Sequence, residues 1–294
     1  MSRGGGPLKS IVIVSGFPPS PTAERFVTES RRRGLAARYF FPESVCLGYS
    51  APFQSPLCGP EPEIFLNRLL GVERPILHVL EVVAAVEASL AQDTKIVNAM
   101  VAVGPALSKR AQAALFCESG VSVPRTIGVG GSSFPSQIVQ TVGLPVVLKT
   151  NFGMMGAGVQ RFSSAEELGG FLERNPDFTG VAQSWLPEGV ETLRALVVSG
   201  VVLASGLRRA APQDWRANVA QGGAMSEEPL SPVESELAIR ATESLGLDIG
   251  GVDIVRTRSG PVVLEINPSP GLAALESATS RNLVNEIMEQ LGLG

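Results

Sequence analysis

The spacing between apolar runs changes along this chain, and the change limits the folds open to it. In the first third the runs Ile11–Ser15, Ala36–Phe41, Ile64–Leu66 and Lys95–Val97 are short and far apart. Between them, Thr22–Arg33 and His78–Leu90 carry apolar residues at helical spacing. Strand and helix alternating at such intervals imply crossover connections and a buried parallel sheet. In the last third, Leu193–Val198 and Val201–Leu207 are parted only by Ser199-Gly200, a hairpin signal. Gly251–Arg256 and Pro261–Ile266 lie as close, around Arg258-Ser259-Gly260. The expected class is mixed, α/β passing into α+β, with a small open α/β domain at the start.

The middle of the chain reads as a helix over Leu107–Ser119 that Ser108 can cap, an extended Val121–Ile127, and strands at Pro145–Lys149 and Val159–Phe162. A Ser164-to-Glu167 capping box opens a helix over Ala165–Glu173, and Val181–Trp185 is a further strand. Glu234–Leu245 and Arg281–Leu291 read as helices. The expected divisions are a tail at 1–9, an α/β domain at 10–95, a central unit at 96–185 and a C-terminal unit at 186–294.

Composition excludes several classes. With 24 Lys+Arg against 28 Asp+Glu, nothing electrostatic calls for nucleic acid or an anionic membrane surface. No apolar stretch reaches the ~18 residues of a membrane helix, and the short run Ile11–Val14 reads as a strand rather than a signal peptide. Cys46, Cys58 and Cys117 form no CxxC pair, which fits a reducing cytoplasm. The single histidine, His78, excludes a two-imidazole site and weakens any Ser-His-Asp reading. It stands at the start of an apolar helical run and reads as structural, as does Arg31-Arg32-Arg33 at the end of a helix.

Three constellations carry chemistry. Lys149 leaves a strand into a loop with Gly153, Gly156 and Gly158, followed by β-type Val159–Phe162. Glycines let backbone N–H groups approach phosphate and the lysine adds a point charge, although a plain Gly-rich turn reads the same way. Next, Glu265 and Asn267 share a strand face, and a three-residue loop at Arg258-Ser259-Gly260 sets Asp253 opposite Glu265. Two carboxylates and an amide oxygen suit Mg²⁺; the alternative is polar residues on a solvated face. Facing carboxylates repel, so this register asks for a cation. Last, Arg208-Arg209 precedes Trp215-Arg216-Ala217-Asn218 and Gln221-Gly222-Gly223, where arginines fork onto a carboxylate or phosphate or else remain solvated.

Taken together, these residues resemble the ATP-grasp superfamily, in its RimK-like branch typified by the glutamate ligase that modifies a ribosomal protein. The resemblance runs from about residue 96 to 280. It rests on Asn98, Lys109, Lys149, the Gly153–Gly158 loop, Gln183-Ser184-Trp185-Leu186, Arg194, Arg208-Arg209, Arg216-Ala217-Asn218, Gly222-Gly223, Gly251-Val252-Asp253, Glu265-Ile266-Asn267 and Ser269-Pro270-Gly271. Residues 10–95 match only in layout, with Asn67-Arg68 and the Glu81 region as echoes.

The resemblance implies an ATP-grasp fold behind a small pre-ATP-grasp α/β domain. It also implies a ligase that phosphorylates a carboxylate with ATP and lets an amino acid's amine attack the acyl phosphate. Lys109, Lys149 and the loop Gly153, Gly156 and Gly158 would meet the nucleotide phosphates. Gln183 would bind ATP, the backbone at Ser184, Trp185 and Leu186 would meet the adenine, and Glu188 or Glu191 the ribose. Asp253, Glu265 and Asn267 would hold Mg²⁺ or Mn²⁺. Arg208 and Asn218 would act at the transferred phosphoryl group, with Arg194, Arg209, Arg216 and Ser269 toward substrate. The partners implied are ATP, a carboxylate and an amino acid, without nucleic acid or membrane, and homo-oligomer formation is left open. The chain departs from the family pattern at Ser184, Thr192 and Gln221. The competing classes are a regulatory nucleotide-binding protein with a degenerate site and another ATP-grasp ligase or carboxylase.

Overall fold

The computed structural model describes residues 9–45, 47, 55–57, 59–68, 76–130, 133–153, 158–210 and 224–293. Strands β1 (Ser10–Val14), β2 (Ala36–Phe40), β3 (Ile64–Asn67) and β4 (Lys95–Val97) form a sheet in the order β2-β1-β3-β4, every pair parallel. Helices α1 (Pro21–Arg32) and α2 (Ile76–Glu87) are its crossovers. Alternate side chains go to opposite faces. Ile11, Ile13 and Leu66 join Phe26 of α1, whereas Val12, Val14 and Phe65 join Val79, Val82 and Val83 of α2. Burial on both faces is why these strands read as unbroken apolar runs. His78, on α2, has Nε2 3.1 Å from the Val45 carbonyl and ties the helix to the segment after β2.

Helices α3 (Met100–Leu107) and α4 (Lys109–Glu118) follow. The sequence pattern predicts one helix from Leu107; two form because Ser108 is extended and its hydroxyl caps α4, accepting from Ala111 N–H at 3.2 Å. A second sheet has the order β5-β8-β6-β7, from β5 (Thr126–Gly130), β6 (Val146–Thr150), β7 (Val159–Phe162) and β8 (Thr179–Ser184), all antiparallel. It packs with α5 (Pro135–Val142) and α6 (Ala165–Arg174) around Val129, Ile138, Leu148 and Leu168.

The third sheet runs β11-β10-β9-β12-β13: β9 (Glu191–Val198), β10 (Val201–Arg209), β11 (Ala224–Glu227), β12 (Ile249–Thr257) and β13 (Gly260–Asn267). The helices here are α7 (Pro232–Ser244), α8 (Ala273–Thr279) and α9 (Leu283–Gln290). Leu193, Ala195 and Val197 of β9 pack with Leu237, Ala238 and Ala241 of α7. Its other face sends Leu196 and Val198 into the core that also holds Ile11, Ile13, Phe26 and, from α9, Val284 and Ile287. The parallel sheet and the third sheet therefore share one core.

The Ser199-Gly200 hairpin forms as its sequence indicates, with φ of 47° and 73° at the two turn residues. The β12–β13 hairpin differs in detail. Thr257 pairs with Gly260, so the turn proper is Arg258-Ser259. Carried on unchanged, that register would set Asp253 against Leu264. An irregularity between Asp253 and Ile254 leaves Leu264 unpaired and brings Asp253 opposite Glu265. Gly260, at φ 118°, takes the backbone conformation that side chains disfavour. Among the described residues no helix is long and apolar enough to cross a membrane.

The arginine run closing α1 is a clamp on α9. Arg33 donates to the Leu293 carbonyl at 3.1 Å and to the Asn285 carbonyl at 3.0 Å. Glu29 accepts from both Arg32 and Arg33. The Arg32 hydrogen bond, helped by Arg33 and opposed by burial, holds the Glu29 carboxyl at about 2, against an ordinary 4.5. A carboxyl depressed in the folded state contributes stability above its unfolded value and loses it as pH falls toward the folded value. Chemical denaturation as a function of pH should therefore show wild type losing stability between about pH 4.5 and 2. Glu29→Gln should be less stable at neutral pH and flatter across that window; an unchanged slope would refute the clamp.

Candidate active site

Three neighbouring strands place charge at one level of the third sheet. In the ladder, Asp253 of β12 lies between Arg194 of β9 and Glu265 of β13, and Arg208 of β10 lies opposite Thr192 of β9. Asp253 is buried at 7% exposure. Arg194 Nη2 donates to its Oδ2 at 3.0 Å, and Arg194 Nε lies 2.7 Å from Oδ1 but off the hydrogen-bonding direction. Arg208 Nη1 donates to Oδ1 at 3.0 Å and to Oδ2 at 3.2 Å. The facing carboxylates thus have their cations in the chain itself. Arg208 is mostly buried rather than solvated, and its Nη1 alone donates to both oxygens of Asp253.

Glu265 is met by lysines. Lys109 Nζ lies 3.7 Å from its Oε2 and donates to the Gly153 carbonyl at 3.0 Å. Burial pushes the Glu265 carboxyl up, but Lys109, Lys149, Arg194 and Arg208 together outweigh it and hold the group below its ordinary value. Burial lowers Lys149, reinforced by Lys109 and opposed by Glu265 and Asp253. Burial likewise lowers Arg194, against the pull of Asp253. These four cations face two carboxylates, and the excess of positive charge makes the cluster a place for anions.

Polar residues that the sequence analysis passed over hold the cluster in place. Asn151 accepts from Ser108 Oγ at 3.1 Å and from Arg110 N–H at 3.0 Å, and its carbonyl accepts from Lys109 N–H at 3.1 Å. It thereby fixes the first turn of α4, and Lys109 with it, against the end of β6. Gln112 donates to the Ile266 carbonyl at 2.9 Å and accepts from Ile266 N–H at 3.0 Å, pinning α4 to β13 between Glu265 and Asn267. Gly251 is required by close approach: a Cβ there would stand 2.4 Å from Arg194 Nη1 and 2.6 Å from Pro270 Cβ.

A cleft runs from the lysines between the second and third sheets. Its lining includes Lys109 and Lys149, the apolar Phe116, Val123, Val181 and Leu264, and the polar Thr126 and Gln183. The slot is apolar with ammonium groups at one end and holds only about 10 Å³ as it stands, so a flat aromatic group carrying an anionic tail enters it only if the two sheets part. Gln183 donates to Thr126 Oγ1 at 3.1 Å. The N–H groups of Ser184 and Trp185 donate to the carbonyls of Arg125 at 2.9 Å and Pro145 at 3.1 Å, so neither is open to a base. Leu186 begins the turn Pro187–Val190 that leads into β9.

Other expected residues fall elsewhere. Arg209 and Glu191 oppose each other on β10 and β9 and form a surface pair at 2.9 Å, on the face away from Arg208. Strand alternation separates them from the cluster. Ser269 is buried; its N–H donates to Asn267 Oδ1 at 2.9 Å and its hydroxyl to the Asn67 carbonyl at 3.4 Å, which makes it a tie between the two sheets. Gly158 has φ 72° and its carbonyl accepts from Thr150 N–H at 3.1 Å. Gly156, Met154, Met155, Trp215, Arg216, Asn218 and Gln221-Gly222-Gly223 lie outside the described residues.

A hard cation fits this donor set under one condition. Asp253, Glu265 and Asn267 offer oxygens only, and Glu265 is partly exposed. Two guanidinium groups already engage Asp253, and among the described residues no three His, Cys, Asp or Glu side chains converge as a metal cage. A bare divalent ion meets net repulsion here, whereas one that arrives with polyphosphate does not.

Residues 106–291 match the RimK-like ATP-grasp domain. Over 203 residues the chain is 35% identical to a protein named probable alpha-L-glutamate ligase 2 from Pseudoalteromonas atlantica, covering 66% of this chain and 65% of that one. Over 209 residues it is 34% identical to the probable alpha-L-glutamate ligase of Aeromonas salmonicida, covering 68% and 69%. The match thus spans about 65% of the length of the first of these relatives. Among solved structures, the ATP-grasp ligase PsnB complexed with minimal precursor superposes with a TM-score of 0.74 at 20% identity, over 98% of this chain and 100% of that one. The RimK domain protein ATP-grasp from Sphaerobacter thermophilus gives 0.70 at 20%, over 97% and 100%. At these identities the structures attest the ATP-grasp fold.

The ion cluster makes a prediction independent of any ligand. Asp253→Asn removes the carboxylate bonded directly to Arg194 and Arg208, and stranding buried cations costs about 3 kcal/mol. Urea denaturation of the free protein should register a loss of that order. A stability within ~0.5 kcal/mol of wild type would mean that Asp253 does not balance the pair.

Proposed function

The chain belongs to the RimK-like ATP-grasp family, and on that premise we propose that it is an ATP-dependent ligase that joins a carboxylate to the amine of an amino acid, such as glutamate. The observation that carries this reading is the apolar cleft that ends at Lys109 and Lys149 beside the Asp253–Glu265 pair. It supports a nucleotide whose base lies among Phe116, Val123, Val181 and Leu264 and whose phosphates meet the two ammonium groups. The names of the glutamate-ligase relatives support the amine.

In the proposed reaction a carboxylate oxygen attacks the terminal phosphorus of ATP and ADP leaves. The amine nitrogen then attacks the acyl carbon, phosphate leaves, and the amine's surplus protons pass to solvent. A carboxylate is a poor electrophile; phosphorylation gives it a leaving group. Lys109 and Lys149 neutralise the phosphates during transfer. Arg208, hydrogen-bonded to Asp253 through Nη1, offers its remaining guanidinium edge to the acceptor carboxylate; its Nε has no partner among the described residues. Asp253, Glu265 and Asn267 would hold Mg²⁺, which supplies charge neutralisation between phosphates. Gly156, Asn218 and Arg216 remain assigned, by resemblance, to the nucleotide, the phosphoryl group and the substrate.

Purified protein given ATP, Mg²⁺, L-glutamate and a panel of carboxylates should release ADP and phosphate in step with an amide product detected by mass spectrometry. AMP as the product would overturn the acyl-phosphate route. Glu265→Gln should lower turnover by ~100-fold or more, since charge stabilisation at the metal is worth several kcal/mol. Full activity in this variant would remove Glu265 from the site. Arg208→Lys should keep nucleotide affinity while product formation falls by ~10- to 1000-fold, because a lysine lacks the planar fork. Unchanged ligation would remove Arg208.

A further inference from the structure

The second sheet turns a neutral polar pair toward the cleft it shares with the third. Thr126, the first residue of β5, lies directly opposite Gln183 of β8 in the antiparallel ladder. Their neighbours Ile127 and Ala182 pack into the second sheet's own core. Strand alternation therefore puts Thr126 and Gln183 on the other face, where both line the cleft. Gln183 is buried at 7% exposure, so its side chain has little freedom that its partners do not set.

The directions of the hydrogen bonds fix which end of the Gln183 amide is which. A hydroxyl has one hydrogen to give. That of Thr126 goes to the Pro124 carbonyl at 2.7 Å, and a carbonyl only accepts. Thr126 Oγ1 is left as an acceptor, and Gln183 Nε2 donates to it at 3.1 Å. Turning the amide over would set its oxygen against the Thr126 oxygen, two acceptors with no hydrogen between them. The nitrogen is thus held toward β5, and Oε1, on the other branch of the amide, is the end left for whatever fills the cleft. Pro124, Thr126 and Gln183 belong to one sheet and its entry segment, so the relay stays intact when that sheet parts from the third.

A purine reads such an acceptor through its 6 position. A 6-amino purine carries a donor there and a 6-oxo purine an acceptor. Against a fixed Oε1 the first gains a hydrogen bond and the second opposes two lone-pair groups in a site with little water. The adjacent N–H groups of Ser184 and Trp185 are already bonded to the Arg125 and Pro145 carbonyls and do not relieve that clash. We propose that Thr126 is a positioning residue: by holding Gln183 Nε2 it keeps the amide oxygen toward the base, and the cleft thereby selects a 6-amino over a 6-oxo purine nucleotide. This inference rests on the nucleotide part of the ligase reading above. The contribution of Thr126 is orientation, because a glutamine free to turn over offers its oxygen to one class and its nitrogen to the other.

The test is calorimetry on the full chain with Mg²⁺, comparing ADP with inosine diphosphate, which has the same sugar and phosphates on a 6-oxo base. Wild type should favour ADP by about tenfold or more. Thr126→Val, similar in shape but without the hydroxyl, should cut that preference to roughly threefold or less, with ADP weakened and inosine diphosphate strengthened. Thr126→Ala should repeat the loss, so the outcome does not depend on how the valine packs. Thr126→Ser, which keeps the hydroxyl, should retain the wild-type preference. A hydroxyl that merely supports the fold changes both affinities alike and leaves their ratio alone. That result in a folded Thr126→Val overturns the proposal, as does a wild type indifferent to the two bases. Failure of the ligase reading looks different: the preference and its loss stand, and no amide product forms with any carboxylate. A chain that binds neither nucleotide overturns both.

Discussion

The side chain of Asn98 holds the molecule's two halves in register. Its amide donates to the carbonyls of Ile249 and Pro268, both at 2.8 Å, and its oxygen accepts from the N–H groups of Asp248 at 2.7 Å and Ile249 at 2.8 Å. Its own carbonyl accepts from Asn67 at 2.6 Å, and Asn67 also bonds Glu87 at 2.5 Å. A buried amide with its hydrogen-bonding capacity filled fixes position in a way that apolar packing does not. It sets the end of the parallel sheet against the start of β12 and the segment after β13. Those are the strands that carry Asp253, Glu265 and Asn267. Glu87, raised by burial against hydrogen bonds from Met100 and Asn67, belongs to the same joint.

The joint lets one sheet face serve two ends. Along β9, Leu196 and Val198 enter the core shared with the parallel sheet, while Arg194 on that face meets Asp253. The apolar half anchors the sheet, and the polar half, held by the same backbone, keeps the ion cluster from rearranging. Two carboxylates opposed across a ladder would separate in water. Here Arg194 and Arg208 bind one of them, while Lys109 and Lys149 pull the other into its charged form. The surplus of cations then awaits anions, which is the electrostatic character a phosphoryl-transfer site requires.

Particular elements show how much the sequence disclosed. The parallel sheet and the Ser199-Gly200 hairpin follow from local pattern, because strand periodicity and turn chemistry act within a few residues. The pairing of Asp253 with Glu265 matches the sequence expectation but is reached through a two-residue turn and an irregularity that the pattern does not show. Other elements left no such pattern. In α3, MVAVGPAL shows no amphipathic stripe, since it is covered by the parallel sheet's core on one side and by the third sheet's core on the other. Strand β11 is AMSE, with no β-branched residue, and is held by pairing to β10 and by Met225 against the shared core. The sequence pattern likewise does not predict the short helices α5 and α8. Gln112 and Asn151 look like ordinary surface polar residues until their partners, from distant strands, are seen.

By itself the sequence determined which residues could do chemistry: the lysines, the Gly-rich loop, the acidic pair and the arginines are residue types whose capacities are fixed covalently. It also determined strand faces, since alternation puts Arg208 and Arg209 on opposite sides of β10 whatever surrounds them. Only the tertiary structure decided what each charge meets. Arg208 turns to Asp253, Arg209 turns to Glu191 at the surface, and Arg68 is sealed against Phe26 with Nη2 on the Pro270 carbonyl. The reason is physical. The energy of a charge depends on its burial and on neighbours brought close by folding, and those come from strands that sequence distance does not reveal.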